Sequence, residues 1–285
     1  YFLEPSSYIF NHEHLNLRSM NPLHIAIAEK HITCLEKLLS KKLDEKLTLE
    51  NNLDINQKDQ TNKSALYLAI ESENSEIIDV LLDCENEFVT AKLNLNIGHE
   101  NGLTPLQLSI KDRHTKATEL LLSKKLNKAI KRNTLSEKYH MIDLSSKGNN
   151  NTSILLSVVS HPDYAMFGHS LLKLLLSARL NGILPLEQQI ELNGNYDNSN
   201  TLLQHGLKQG NQQLVEGLLS LKLNKKKEKS HTINLSCQGN HGKSPLLLAL
   251  QHSDYKGVGK PIIDRMLDSE LNRILDKDYQ IELNV

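Results

Sequence analysis

The stretch with the most chemical promise is Gly239-Asn240-His241-Gly242-Lys243-Ser244-Pro245-Leu246, whose Gly-Lys-Ser could face the phosphates of a nucleotide. A phosphate-cradling loop needs a glycine five residues before that of the Gly-Lys-Ser, so that successive backbone N–H groups can curl around the oxygens. That position is Cys237, and Pro245 stands where the helix after such a loop should already be running. His12-Glu13-His14 offers two imidazoles to a metal, but residues two apart face away from each other on a helix, and no third ligand is near. Cys34, Cys84 and Cys237 are far apart with no Cys-x-x-Cys pair, which fits reduced, small packing residues in a cytosol-like compartment. No nucleophile–base set can be assembled from spacing. The chain therefore receives no catalytic, cofactor-binding or metal residue, and no small-molecule substrate is expected.

Charge is equally restrictive. Lys124, Lys125, Lys128, Lys131 and Arg132 form one basic run, and Lys222, Lys225, Lys226, Lys227 and Lys229 another. Either could meet nucleic acid or an anionic membrane. Aromatic interleaving is scant, however, and 33 basic residues are balanced by 34 acidic ones. Solvated helix ends, with cations near the negative pole of the helix dipole, are the expectation, and no specific nucleic-acid partner. No run of eighteen apolar residues exists, so no membrane span is expected. Aromatics make up 4% with no Trp, which predicts a thin core of Leu, Ile and Ala.

Six segments line up and account for the Gly-Lys-Ser. They start at Asn21-Pro22-Leu23, Ser64-Ala65-Leu66, Thr104-Pro105-Leu106, Ser153-Ile154-Leu155, Thr201-Leu202-Leu203 and Ser244-Pro245-Leu246. A lead motif precedes all but the first, its last residue eight positions before the Ser or Thr: Asp54-Ile55-Asn56, Asn94-Leu95-Asn96, Asp143-Leu144-Ser145, Glu191-Leu192-Asn193 and Asn234-Leu235-Ser236. So the Gly-Lys-Ser is the turn and helix start of repeat six. Ser or Thr followed by Pro reads as an N-cap with proline at the first helical position. A column of mostly small residues follows (Ala26, Ala69, Ser109, Val158, Gly206, Ala249), with Ser157 and Val158 looking exchanged in repeat four. A second helix then ends in an apolar pair: Leu38-Leu39, Leu81-Leu82, Leu121-Leu122, Leu175-Leu176, Leu218-Leu219 and Met266-Leu267. Such a unit cannot bury its apolar face alone and must stack.

This pattern resembles the ankyrin repeat, whose Thr-Pro-Leu-His-x-Ala signature is nearly met by Asn21-Pro22-Leu23-His24-Ile25-Ala26 and echoed by Thr104-Pro105-Leu106-Gln107-Leu108-Ser109. The resemblance implies an all-α solenoid of about six helix-turn-helix units with finger loops along one edge. It assigns 21–285 to the repeat domain, with repeats starting near 21, 64, 104, 153, 201 and 244, and 1–20 to a lead-in or N-terminal cap. Starts are 43, 40, 49, 48 and 43 residues apart, longer than the family's roughly 33. Leu43, Leu126, Leu180, Leu223 and Leu271 each lie four residues past the apolar pair, on the same helical face, so the outer helices are expected to run on by at least a turn. A further lead motif, Glu282-Leu283-Asn284, stands at the end of the chain with no segment after it to lead into. With Tyr1 first and no leader visible, a longer parent is expected, with a further repeat or capping helix after Val285.

The resemblance implies a non-catalytic module that binds a protein partner through its concave face and fingertips. The candidate contacts are Lys58, Asp59, Gln60, His99, Glu100, Asn101, Asn149, Asn150, Tyr196, Asp197, Asn198, Asn240 and His241. For any one of them the plainer reading is a solvated turn residue; for the row together, with Tyr196 as an aromatic anchor, binding is favoured. Repeats four and six insert His161-Pro162-Asp163-Tyr164 and His252-Ser253-Asp254-Tyr255, each with a glycine four residues after the Tyr. The structural reading is Asp capping a turn and Tyr packing over helix ends; the alternative is a second contact edge formed by His161, Asp163, Tyr164, His252, Asp254 and Tyr255. Long, Lys- and Asn-rich repeats look like the ankyrin effectors that intracellular bacteria inject into host cells, which would make the partner a host protein and the site of action the host cytosol. The alternative is the substrate-recognition part of a larger enzyme that modifies host proteins.

Overall fold

Each repeat begins where its polar cap predicts. Asn21, Ser64, Thr104, Ser153, Thr201 and Ser244 all accept backbone N–H hydrogen bonds from the first turn of the helix that follows. These caps satisfy donors that a helix start would otherwise leave orphaned. The inner helices are Pro22–Ala28, Ala65–Glu71, Pro105–Lys111, Ile154–Val159, Leu202–Lys208 and Pro245–Leu250. The outer helices are Ile32–Leu38, Ser75–Leu81, Thr115–Leu121, His169–Leu175, Gln212–Leu218 and Lys260–Met266. In this computed structural model the described residues are 21–40, 53–83, 85–99, 102–133, 141–147, 153–159, 168–176, 178–190, 192–193, 195–197, 200–220, 224, 232–239 and 242–281.

The turn between the paired helices is tight. In repeats one, two, three and five the residue nine positions after the cap has a left-handed backbone: Lys30, Glu73, Arg113 and Gly210 (φ 57 to 63°). The next N–H then reaches back to the column residue in the repeats that show it, as His31 to Ala26, His114 to Ser109 and Asn211 to Gly206. Only repeat five places glycine there, where the left-handed conformation carries no Cβ penalty.

Inner helices pack on inner helices, one on two, two on three, three on four and five on six; outer helices pack likewise between repeats one and two, two and three, four and five, and five and six. One contiguous core runs through the stack, built of Leu and Ile with Ala in the close-approach column. Ala69, Ser109, Val158 and Ala249 are fully buried. Ser157 instead turns its hydroxyl to the Ser153 carbonyl, so Val158 keeps the column register and no exchange has occurred. Gly206 is small for a reason: a Cβ there would sit 3.0 Å from Leu214 and 3.1 Å from Val215 of its own outer helix. Replacing Ala69 with Leu should overpack this column and lower stability by about 2 kcal/mol, read from denaturant midpoints at unchanged m-value. A loss below about 0.5 kcal/mol would reject the register.

The extra length predicted for the outer helices is present, but not as a continuation. The outer helices stop at the apolar pair, and a separate third helix follows: Glu87–Lys92, Lys124–Asn133, Ala178–Asn181 and Ser269–Ile274. The reason is a polar break. In repeat six, Asp268 caps the third helix by accepting from Glu270 and Leu271, and in repeat three Ser123 accepts from Leu126. Leu126, Leu180 and Leu271 are buried, as their spacing predicts, from this third helix. Leu43 and Leu223 lie outside the described residues. Of the basic runs, 124–132 is accordingly a helix of its own. It buries Leu126, Ala129 and Ile130 and leaves Lys125 exposed, paired with Glu85. The second run lies outside the described residues.

Candidate partner-binding surface

The fingers share one register. Lys58 pairs with Ser64 and Lys147 with Ser153 as isolated antiparallel bridges, and in repeat five the strands β1 (Asn195–Asp197) and β2 (Asn200–Thr201) pair Asn195 with Thr201. One step inward, Asp59 donates its N–H to the Lys63 carbonyl, His99 to Leu103 and Gly239 to Lys243. Each finger is thus a short turn whose stem closes on the cap of its own inner helix.

The tip of the repeat-two finger is internally braced. The Asp59 carboxylate accepts from the Thr61 N–H (2.8 Å) and hydroxyl (2.8 Å) and from the Lys63 N–H (2.9 Å). Lys58 spans to the next finger and donates to the Gly98 carbonyl at 2.7 Å. Gln60 stands exposed between them. His99 is half-buried and stacks on Tyr67 of the preceding inner helix, ring centroids 5.2 Å apart. Tyr196 and Asp197 lie on β1. Glu100, Asn101, Asn149, Asn150, Asn198, Asn240 and His241 lie outside the described residues, as does His12-Glu13-His14.

Of the two inserted loops, that of repeat four (His161, Asp163, Tyr164) also lies outside them. In repeat six, Asp254 accepts from the Gly257 N–H at 2.9 Å, the turn-capping role expected of it. His252 accepts from the Asp254 N–H and sits against Gly210 of repeat five. Gly259 passes the Ala249 carbonyl so closely that a Cβ would stand 2.4 Å from that oxygen, which explains the fixed glycine four residues after Tyr255. Tyr255 itself is exposed.

Three sets of residues whose bridging roles the sequence patterns did not show hold this surface in place. The fourth position of the unit hooks the next finger: buried Gln204 donates from Nε2 to the carbonyls of Cys237 (3.2 Å) and Lys243 (2.8 Å), while its Oε1 accepts the Thr201 N–H. His24 is the same position in repeat one. Its Nδ1 accepts from the Asn21 N–H, and its Nε2 makes no hydrogen bond of its own. Second, the final Asn of the lead motif bridges neighbouring repeats: Asn56, Asn96 and Asn193 donate to the carbonyls of Lys92, Met141 and Thr232 and accept the N–H of Asn94, Asp143 and Asn234. Third, Asn127, Asn181 and Asn272 on the third helices, and Asn224 at the same offset in repeat five, each donate to the carbonyl of the first residue of the apolar pair and accept an isoleucine N–H ahead of the next repeat. The last set had a signal: a Leu-Asn dipeptide whose Asn falls six residues after that pair begins.

The buried ring of His24 makes stability pH-dependent. Burial disfavours the imidazolium and pulls its pKa below the ordinary 6.5, against smaller raising effects from Asp59 and from the Gln57 and Lys63 carbonyls. As pH falls through 6.5 the unfolded chain takes up a proton that the folded chain does not, so stability declines towards acid and is fully present above that value. Melting temperatures of His24→Gln should lose this part of the acid slope between pH 7 and 5 (about one His titration). An unchanged slope would reject the assignment.

Among the described residues no group of three or more His, Cys, Asp or Glu is placed to hold a metal ion, and no helix is long and apolar enough to cross a membrane. Burial pushes the Cys237 thiol up, and its sulfur donates to the Asn234 carbonyl. The Gly-Lys-Ser loop spends its Gly239 and Gly242 N–H groups on its own turn, and Lys243 reaches Gln251. A cavity of about 400 Å3 opens between repeats four and five, lined by Val159, His205, Gln209, Asn211 and Leu214.

A family model for ankyrin repeats, in three copies, matches residues 45–134. The chain carries ankyrin repeats. The same register of caps, columns and fingers runs from Asn21 to repeat six. No curated protein matches the chain. Solved structures similar to it include the ankyrin-repeat domain of Bcl-3, a member of the IkappaB family (15% identity over 87% of this chain and 98% of that one, TM-score 0.41). Another is an ankyrin-repeat domain from Acinetobacter baumannii (16% identity, 86% and 97%, TM-score 0.49). A third is a predatory endopeptidase from Bdellovibrio bacteriovorus in complex with an immunity protein (16% identity, 87% and 99%, TM-score 0.44). Ankyrin repeats are a protein-interaction architecture and are generally non-catalytic.

Proposed function

We propose that this chain is a non-catalytic module that captures a partner protein on its concave face, through the finger turns and the exposed ends of the inner helices. The observation that supports this reading is the shared register of the fingers, a row of short, internally hydrogen-bonded turns whose shape is set before a partner arrives. A pre-organised row loses little conformational freedom on binding, which favours affinity at modest contact area. The contact set is the one read from the sequence: Lys58, Asp59 and Gln60; His99, Glu100 and Asn101; Asn149 and Asn150; Tyr196, Asp197 and Asn198; Asn240 and His241. Asp59 and His99 contribute mainly by holding the tips in shape, Lys58 and Gln60 by touching the partner. The long Lys- and Asn-rich repeats favour a host protein as that partner, with the chain acting as part of a bacterial effector in the host cytosol.

The test starts with affinity purification from host-cell lysate and then measures the purified partner's Kd. Combining Lys58→Ala, Gln60→Ala and Tyr196→Ala should weaken binding by at least about tenfold with the melting temperature unchanged. Lys116→Ala, on the outer helix of repeat three, should leave Kd unaltered. Equal Kd for both variants would sink the concave-face reading.

A further inference from the structure

Two positions of the repeat unit are apolar throughout and buried in the repeats that a successor covers, except that Val159 of repeat four is half-buried at the first of them. Six residues after the cap stand Ile27, Ile70, Ile110 and Leu207, each at most 1% exposed in repeats one, two, three and five; the same position in repeat six is Leu250, 49% exposed. The second residue of the apolar pair is Leu39, Leu82, Leu122, Leu176 and Leu219, from 0 to 8% exposed; in repeat six it is Leu267, 46% exposed. Leu247, in the finger-hook position, is 37% exposed. Repeat four also carries a leucine there, Leu156, and repeat five still follows it, so a hydrophobe at the hook is compatible with a successor.

These leucines sit on the two helix rows that form the repeat-to-repeat interfaces and continue those interfaces without interruption. The chain also leaves repeat six by the route that opens each later repeat. Asn272 accepts the Ile281 N–H, as Asn127, Asn181 and Asn224 accept those of Ile142, Ile190 and Ile233. Each of those isoleucines begins a lead motif or directly precedes it, and Ile281 directly precedes Glu282-Leu283-Asn284.

We propose that the exposed face of repeat six is a sixth repeat-to-repeat interface, whose occupant is a further helix pair of the same kind, led in by Glu282-Leu283-Asn284. Its geometry is specified. A Ser, Thr or Asn cap falls eight residues after Asn284, a leucine two residues beyond the cap and a small residue five beyond it. The pair covers Leu250 with its inner helix and Leu267 with its outer one.

The experiment compares residues 1–285 with the protein expressed from the complete reading frame, following backbone hydrogen exchange in the helix Pro245–Leu250. The expected result is a frame that continues with the capped pattern at the stated offset, and exchange slowed by at least about tenfold at every protein concentration. A frame that stops before a helix pair can fit overturns the proposal, as does equal exchange in the two proteins. Slowing that grows with protein concentration also overturns it, because the occupant is then a second copy of the chain.

Discussion

Asn127→Leu should destabilise the protein by about 3 kcal/mol, although leucine keeps the same branched outline and replaces only the polar head. Asn127 is fully buried. Its Nδ2 donates to the carbonyls of Leu121 and Ser123 at 2.9 Å each, and its Oδ1 accepts the Ile142 N–H at 2.8 Å. Leucine leaves these backbone groups without that partner in a site that excludes water, and the desolvation penalty of an orphaned buried group is larger than the net value of the bond it lost. Denaturant unfolding measures it, and a loss under about 1 kcal/mol would show that water replaces the amide. Asn127→Asp should be at least as costly at neutral pH, because a carboxylate accepts but cannot donate to the two carbonyls.

Gln204→Leu should cost about 2 to 3 kcal/mol by the same physics, with a sharper control. Leucine occupies this position naturally in repeats four and six, as Leu156 and Leu247, so the inner helix tolerates its shape. What is lost is the hook to the next finger, the bonds to the Cys237 and Lys243 carbonyls. Gly239 is packed against the hook: a Cβ there would lie 2.5 Å from the Gln204 Oε1. Gly239→Ala should therefore be damaging beside Gln204 and much milder beside leucine, a coupling of about 1 kcal/mol or more in a double-mutant cycle. Additive effects would mean that Gly239 is needed for its backbone alone.

The fold was legible in the sequence because its strongest signals are local and recur. A polar cap and a leucine two residues on mark every inner helix start, with proline at the first helical position in repeats one, three and six, and each cap forms. The small column was equally plain from Ala26 to Ala249. The third helix was misread because Leu126 and Leu271 keep the period of the outer helix across a break, and helical period is blind to a two-residue interruption at Leu122-Ser123 or Leu267-Asp268. The roles of the hooks and bridges were hard to read for a different reason. Gln204, Asn56 and Asn127 act across repeats on backbone groups that carry no side-chain signature, so nothing in the partner sequence points back to them. Fingertips were placed by turn composition, which locates a tip but cannot say that Asp59 spends its carboxylate on its own turn.

The bridges also bear on how the chain comes off the ribosome. Asn21 bonds the Asp54 carbonyl 33 residues on, Asn56 that of Lys92 after 36, and Asn96 that of Met141 after 45. Such contacts give a low contact order for 285 residues, the topology associated with fast folding. A repeat can therefore close as soon as its successor has been synthesised, before the rest of the chain exists. The face it presents while waiting is the leucine-lined face that repeat six still shows, so during translation each nascent repeat in turn is the sticky end.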